Sequence, residues 1–260
     1  MLGAIIGDIV GSRWEFNPTN DYGFKWLSPE NSFTDDTICT VAVADALLRD
    51  RDFGESIHEW CRRYPNPMGG YGGRFAQWVR NDHPLPYNSF GNGAAMRVSP
   101  VAHWYKYIDE VLDAAAGTAL PTHNHDDGIK GAQTVALAIF RALQFGPQAA
   151  EHIDEIQTEC VEFSGYEINI RKEDVINRFD ETCQGTVPVA LWIIGDSTSF
   201  EDAVRKAVSL GADADTLGAI VGSIAEAIWG IPESIKQDIM AYLPDEMKVV
   251  VEQFYERISR

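Results

Sequence analysis

An all-α fold follows from three features of the chain. Apolar residues recur at three- and four-residue steps, alternating strand-like runs between paired turn signals are scarce, and proline or capping residues stand where helices would begin. The first helix carries Gly3, Gly7 and Gly11 at four-residue spacing, so one flat face would admit another backbone at close range. A second apolar run, from Ile38 to Arg49, follows an acidic start at Asp35 and Asp36. A helix is expected from about Ala94, and residues 131 to 144 read as a long one opened by a cap within Thr122 to Asp127.

Further along, Pro188 is expected in the first turn of a helix, where a missing N–H costs nothing. Ser199 and Asp202 read as a capping box for the run at 203 to 210. From Leu217 to Trp229 a long apolar helix carries Gly218 and Gly222, a second flat face. Pro232 and Pro244 open the last two helices, and Met247, Val250, Val251, Phe254, Tyr255 and Ile258 form one face of the final one. Between these elements lie irregular stretches at 14 to 33, 64 to 73 and 81 to 93, rich in Gly, Pro, Asn and aromatics, as binding loops are. With neither linker nor repeat, residues 1–260 form one domain.

Composition sets limits on function. Lys and Arg number 21 against 39 Asp and Glu, a net charge of −18 that repels phosphate backbones and anionic membranes. Nucleic acid and membrane are therefore not expected as partners. Cys39, Cys61, Cys160 and Cys183 contain no CxxC pair, which points away from structural zinc or a disulfide framework and fits a reducing cytoplasm. Residues 2 to 11 are apolar, but Asp8 interrupts them and no basic segment precedes them, so the run reads as a helix of the mature chain.

Four motifs carry the candidate chemistry. Thr34, Asp35, Asp36 and Thr37 precede one apolar helix, and Asp213, Ala214, Asp215 and Thr216 precede another. Either alone reads as an ordinary helix cap. If the two helix starts converge, however, they offer the hard oxygen ligands that suit Mg²⁺ or Mn²⁺ and suffice for two ions. Third, the glycine-faced first helix delivers Asp8 and then Glu15 toward a loop, where neighbouring Trp14 and Phe16 would raise the Glu15 pKa and suit it to proton transfer, although on local residues alone it reads as a solvent-facing glutamate beside core aromatics. Fourth, Ser89, Phe90, Gly91, Asn92 and Gly93 read as a loop that presents N–H groups to phosphate or as a plain turn, and Gly69 to Gly73 share that ambiguity. Arg97 is a candidate phosphate ligand, weighed against the commoner surface or ion-paired arginine.

Taken together, GAIIGDIVGSRWEF at 3–16, FTDDT at 33–37, SFGNGAAMR at 89–97, TH at 122–123 and GADADT at 211–216 resemble, in content and order, the ADP-ribosylglycohydrolase family. The resemblance spans nearly the whole chain. It implies a compact helical bundle with a dinuclear metal cleft and cleavage of the glycosidic bond between ADP-ribose and an acceptor. The implied metal ligands are Thr34, Asp35, Asp36, Asp213, Asp215 and Thr216, holding two divalent cations, Mg²⁺ or Mn²⁺. Glu15 and Asp36 take the catalytic positions, and Gly70, Gly72, Ser89, Phe90, Gly91, Asn92, Gly93 and His123 the substrate-binding ones. The implied partner is an ADP-ribosylated protein, acted on by a monomer. One departure is Ala212, where family members commonly carry glycine, which raises the question of how the chain approaches Asp213.

Two other readings compete. His125 and Asp126 form an HD pair that, with His58, His83 or His103, would suit a helical metal phosphohydrolase acting on nucleotides. Alternatively, the chain keeps the cleft and serves as a non-catalytic ADP-ribose-binding protein.

Overall fold

The two glycine stripes meet. In a computed structural model describing residues 1–259, helix α1 (Leu2–Gly11) lies against helix α13 (Ala214–Trp229) in the most extensive helix–helix contact of the molecule. Every residue of α1 is buried. A β-carbon on Gly7 would collide with the Gly218 carbonyl, one on Gly3 with the Gly222 carbonyl, and one on Gly11 with the Ala214 carbonyl. The missing side chains are thus the contact itself, which fixes the register of the two helices.

The remaining helices pack around this pair. They are α2 (Asp35–Arg49), α3 (Phe53–Arg63), α4 (Gly73–Arg80), α5 (Gly93–Met96), α6 (Ser99–Trp104), α7 (Ile108–Ala119), α8 (Asp126–Phe145), α9 (Ile153–Ser164), α10 (Lys172–Val175), α11 (Cys183–Gly195), α12 (Phe200–Ser209), α14 (Glu233–Met240) and α15 (Asp245–Ile258). No strand forms among the described residues, only an isolated antiparallel bridge between Gly91 and Thr182 that joins two loops. No helix among them is long and apolar enough to cross a membrane. The all-α expectation is met, and the four cysteines are free and buried.

Local sequence explains most boundaries. Thr34 caps α2 by accepting from the Asp36 N–H, Ser199 caps α12 by accepting from the Asp202 N–H, and Pro232 and Pro244 stand just before α14 and α15. Pro188 is a correction, because it lies inside α11 rather than in the first turn. The carbonyl it deprives of a donor belongs to Gln184, an exposed residue in the first turn, where water can donate in place of the missing N–H and the helix continues. Ala212 settles easily, since the positive φ of this turn falls on Gly211, at +70°.

At the far end of the α1–α13 pair sits a buried polar cluster. The Met1 α-amino group donates to Glu226 Oε2 at 2.6 Å and faces His103 Nε2 at 3.2 Å, while the Tyr255 hydroxyl donates to Glu226 Oε1. Burial, followed by the adjoining ammonium, pushes His103 down to about 3. Burial opposes ionisation of Glu226, yet the ammonium beside it holds its carboxyl down to about 2. Both groups bind fewer protons folded than unfolded, so the stability they contribute falls as pH falls: from 6.5 toward 3 for His103, and from 4.5 toward 2 for Glu226. Replacing His103 by Gln removes the first titration and leaves every other group in place. Relative to wild type, His103→Gln should gain about 1 kcal/mol, or roughly 2–4 °C in Tm, between pH 7 and pH 5. Parallel melting curves of the two proteins that keep a constant gap over that interval would refute this.

Candidate active site

Because the glycine contact ends at Gly11 and Ala214, the chain leaves α1 beside the first turn of α13. Asp8, one turn earlier, reaches sideways to α2. Its Oδ2 accepts from the backbone N–H groups of Thr34 and Thr37, both at 3.0 Å, and from the Thr37 hydroxyl, while Oδ1 accepts from the Thr34 hydroxyl at 2.8 Å. Asp8 therefore caps α2 from a neighbouring helix and clamps its N-terminus against that of α13. The convergence that spacing alone left open is produced by this residue.

The clamp gathers carboxylates into two groups. Asp8, Asp36 and Asp215 present oxygens within 4.8 Å of one another, and so do Glu15, Asp213 and Asp215. Asp215 belongs to both. Asp36 Oδ2 accepts from the Thr216 hydroxyl at 3.3 Å and lies 3.3 Å from the Thr34 oxygen, whose hydrogen goes to Asp8, whereas its Oδ1 is buried without a partner. Asn92 Nδ2 donates to Asp213 Oδ2 at 2.7 Å and to Thr186 Oγ1 at 3.1 Å, tying the 89–93 loop to this centre. Glu15 Oε2 is also buried and unpartnered, lying against Gly69, whose φ of +76° lets the backbone approach without a side chain between them.

Electrostatics follows from the crowding. Burial, then neighbouring acids, raises Asp35, Asp36 and Asp215 well above the usual carboxylate range. Burial lifts Asp213 to about 7, and burial with Asp215 and Asp8 nearby lifts Glu15 to about 8. Among the described residues no lysine or arginine forms an ion pair with these carboxylates, and after burial the leading influences on Glu15, Asp36 and Asp215 are other acids. A set of hard oxygens with orphaned buried lone pairs and shared negative charge fits divalent cations.

The two groups open onto a cavity of about 420 Å³. Of the residues predicted from sequence, Glu15, Asp35, Asp36, Gly70, Gly72, Ser89, Gly91, Asn92, Gly93, His123, Asp213, Asp215 and Thr216 line it. Asp35 shares this wall without joining either carboxylate group. Thr34 is set back behind the wall, with its hydroxyl engaged by Asp8 and Asp36. Phe90 turns outward, 43% exposed, with its ring edge-to-face on His125. Two contributors escaped the sequence reading, Asp8 as a clamp and Glu181 on the rim, while Arg97, weighed there as a phosphate ligand against a surface or ion-paired arginine, lines the cavity and is neither of the latter two. A lone acid inside an otherwise apolar ten-residue helix was the available signal for Asp8; Glu181 had none.

The histidines of the competing HD reading do not assemble. His125 caps α8 by accepting from the Asp127 N–H, His58 bonds the Asn81 carbonyl, and His103 lies with Met1.

Comparison with known proteins agrees with this architecture. The chain is 26% identical over 321 aligned residues to the ADP-ribosylhydrolase ARH3 of Bos taurus, covering 93% of this chain and 88% of that one. It is 25% identical over 259 residues to the ADP-ribosylarginine hydrolase Tri1 of Pseudomonas putida (strain GB-1), covering 89% and 70%. Its fold matches a chain solved as an ADP-ribosylglycohydrolase-related protein complex, with a TM-score of 0.73 at 24% identity, covering 100% and 96%. The model of the ADP-ribosylglycohydrolases matches residues 1–260, and the chain belongs to that family.

Proposed function

We propose that this hydrolase cleaves the glycosidic bond between ADP-ribose and an acceptor on an ADP-ribosylated protein, releasing ADP-ribose, with two divalent cations held between the N-termini of α2 and α13. The observation that carries this reading is the pair of three-carboxylate groups sharing Asp215, with a buried lone pair of Asp36 left over. Asp36, Asp213 and Asp215 would hold the ions, with Asp35, Thr34 and Thr216 completing the set. Mg²⁺ or Mn²⁺ bound there supplies Lewis acidity toward a water and the ribose hydroxyls.

The chain's own residues do the rest. Glu15, lining the cavity beside Asp213 and Asp215, would give a proton to the departing acceptor atom and retake one from water, with Asp36 as the second proton-handling carboxylate. Asn92 orients Asp213 through its amide. Gly72 and Gly73, beside which a β-carbon would meet nothing within 4 Å, leave wall space for the substrate; in the 89–93 loop the N–H groups of Ser89, Gly91 and Asn92 already donate within the protein, which leaves those of Phe90 and Gly93 as backbone donors. The −18 charge is compatible with an anionic substrate because cations and amides, rather than the bulk surface, meet it.

Incubation with ADP-ribosylated arginine and serine peptides in Mg²⁺ or Mn²⁺ should release free ADP-ribose, chelation should stop it, and either ion should restore it. Tight ADP-ribose binding with no release from any linkage would instead identify a non-catalytic binding protein. Nucleotide hydrolysis lost in His125→Ala would favour the phosphohydrolase reading.

A further inference from the structure

Arg97 is among the largest fully buried side chains, 1% exposed, yet it forms no ion pair among the described residues. Its Nη2 donates to the Thr118 carbonyl and to Thr122 Oγ1, both at 2.8 Å, while Nε has no partner. Thr122, itself wholly buried, has one further neighbour, His123 Nδ1 at 2.7 Å. Hydrogen counting then fixes the direction of each bond. A guanidinium only donates, so Thr122 Oγ1 accepts from Arg97. The single hydroxyl hydrogen must go to His123 Nδ1, because the alternative, an Nδ1–H donating to Thr122, would strand that hydrogen in a dry site. The ring proton therefore sits on Nε2. His123, 5% exposed, lines the cavity, and its Nε2 has no acceptor among the described residues and faces the backbone of Gly91 and Gly93.

We propose that Arg97 and Thr122 hold His123 as the Nε2–H tautomer, making its ring a fixed hydrogen-bond donor to a phosphoryl oxygen of ADP-ribose. The ligand part rests on the ADP-ribose reading above. An anionic oxygen is specified by charge: Arg97, a buried cation without an acid partner among the described residues, lines the same cavity as His123 and bonds the threonine that holds its ring. Arg97 and Thr122 are positioning residues that act through the ring.

Nitrogen NMR of the ligand-free protein, with His123 assigned by its loss in His123→Gln, should find Nδ1 unprotonated and Nε2 protonated. A protonated Nδ1 in wild type overturns the proposal. In calorimetry, Thr122→Val should weaken ADP-ribose by about tenfold, Thr122→Ser should restore it, and adenosine, which has no phosphate, should be unaffected. Equal weakening of adenosine, or a folded Thr122→Ser that fails to rescue, overturns it. Should Thr122→Val not fold, His123→Gln, whose amide nitrogen occupies the Nε2 position, should outbind His123→Asn, whose amide mimics Nδ1; the reverse order overturns it. A wild-type chain that binds no ADP-ribose would defeat the ADP-ribose reading, while the tautomer, measured without ligand, stands or falls separately.

Discussion

Asp215→Asn is expected to lower the rate of ADP-ribose release by about a thousandfold or more, the scale of several kcal/mol of lost charge stabilisation in the transition state. Asp215 is singled out because its oxygens belong to both carboxylate groups, whereas Asp36 and Asp213 each belong to one. Titration with Mn²⁺ should accordingly show both binding steps weakened in Asp215→Asn, but chiefly one in Asp36→Asn. Stability should move the other way. Removing one charge from a buried cluster without a basic partner relieves repulsion and desolvation, so metal-free Asp215→Asn should melt a few degrees above metal-free wild type. Activity near wild type in this variant would remove the carboxylate pairs from the mechanism.

The second large effect concerns a residue that no ligand would touch. Gly7→Val should destabilise the chain by about 4 kcal/mol or more, a large part of the roughly 5–15 kcal/mol that holds a typical domain together. The added β-carbon would meet the backbone of Gly218, which has no rotamer to yield, so α1 must retreat from α13 along a face buried over its whole length. Asp8 would move with it and release the N-terminus of α2. Gly72→Ala is the control, since its β-carbon meets nothing within 4 Å and its φ of −51° suits alanine. If Gly7→Val melts as wild type does, close backbone packing is not what sets the register of these helices.

Much of this was legible in the chain itself, for identifiable reasons. Periodicity announced α2, α8, α12 and α15, and four-residue glycine spacing announced that α1 and α13 each present a face for close packing, though not that the two faces meet, because these are local signals that tertiary structure did not override. The two acidic helix starts were equally visible. What local reading lacked was the reason they meet, since Asp8 reaches Thr34 and Thr37 across 26 and 29 residues of chain, and no spacing rule encodes such a reach. The partners of Arg97 were hidden for a related reason. Its usual environments are water or an acid, and here a carbonyl and a threonine take the place of both. Pro188 shows the opposite error, a sound local rule defeated by a neighbouring residue, Gln184, that happens to face solvent.

The isolated bridge at Gly91 and Thr182 bears on how the cleft empties. Two main-chain hydrogen bonds, Asn92 N–H to the Glu181 carbonyl at 2.7 Å and Cys183 N–H to the Phe90 carbonyl at 2.9 Å, stitch rims that lie some ninety residues apart in sequence. A stitch this small can part while α1 and α13 stay packed, because its opening exposes little apolar surface. Amide hydrogens at Asn92 and Cys183 then exchange with solvent through a local breathing motion, and those of α1 only when the whole chain unfolds. The seam also carries side-chain bonds from Asn92 to Thr186 and from the Cys183 thiol to the Gly91 carbonyl, so freeing this wall of the cleft takes the loss of all four while the core stays closed.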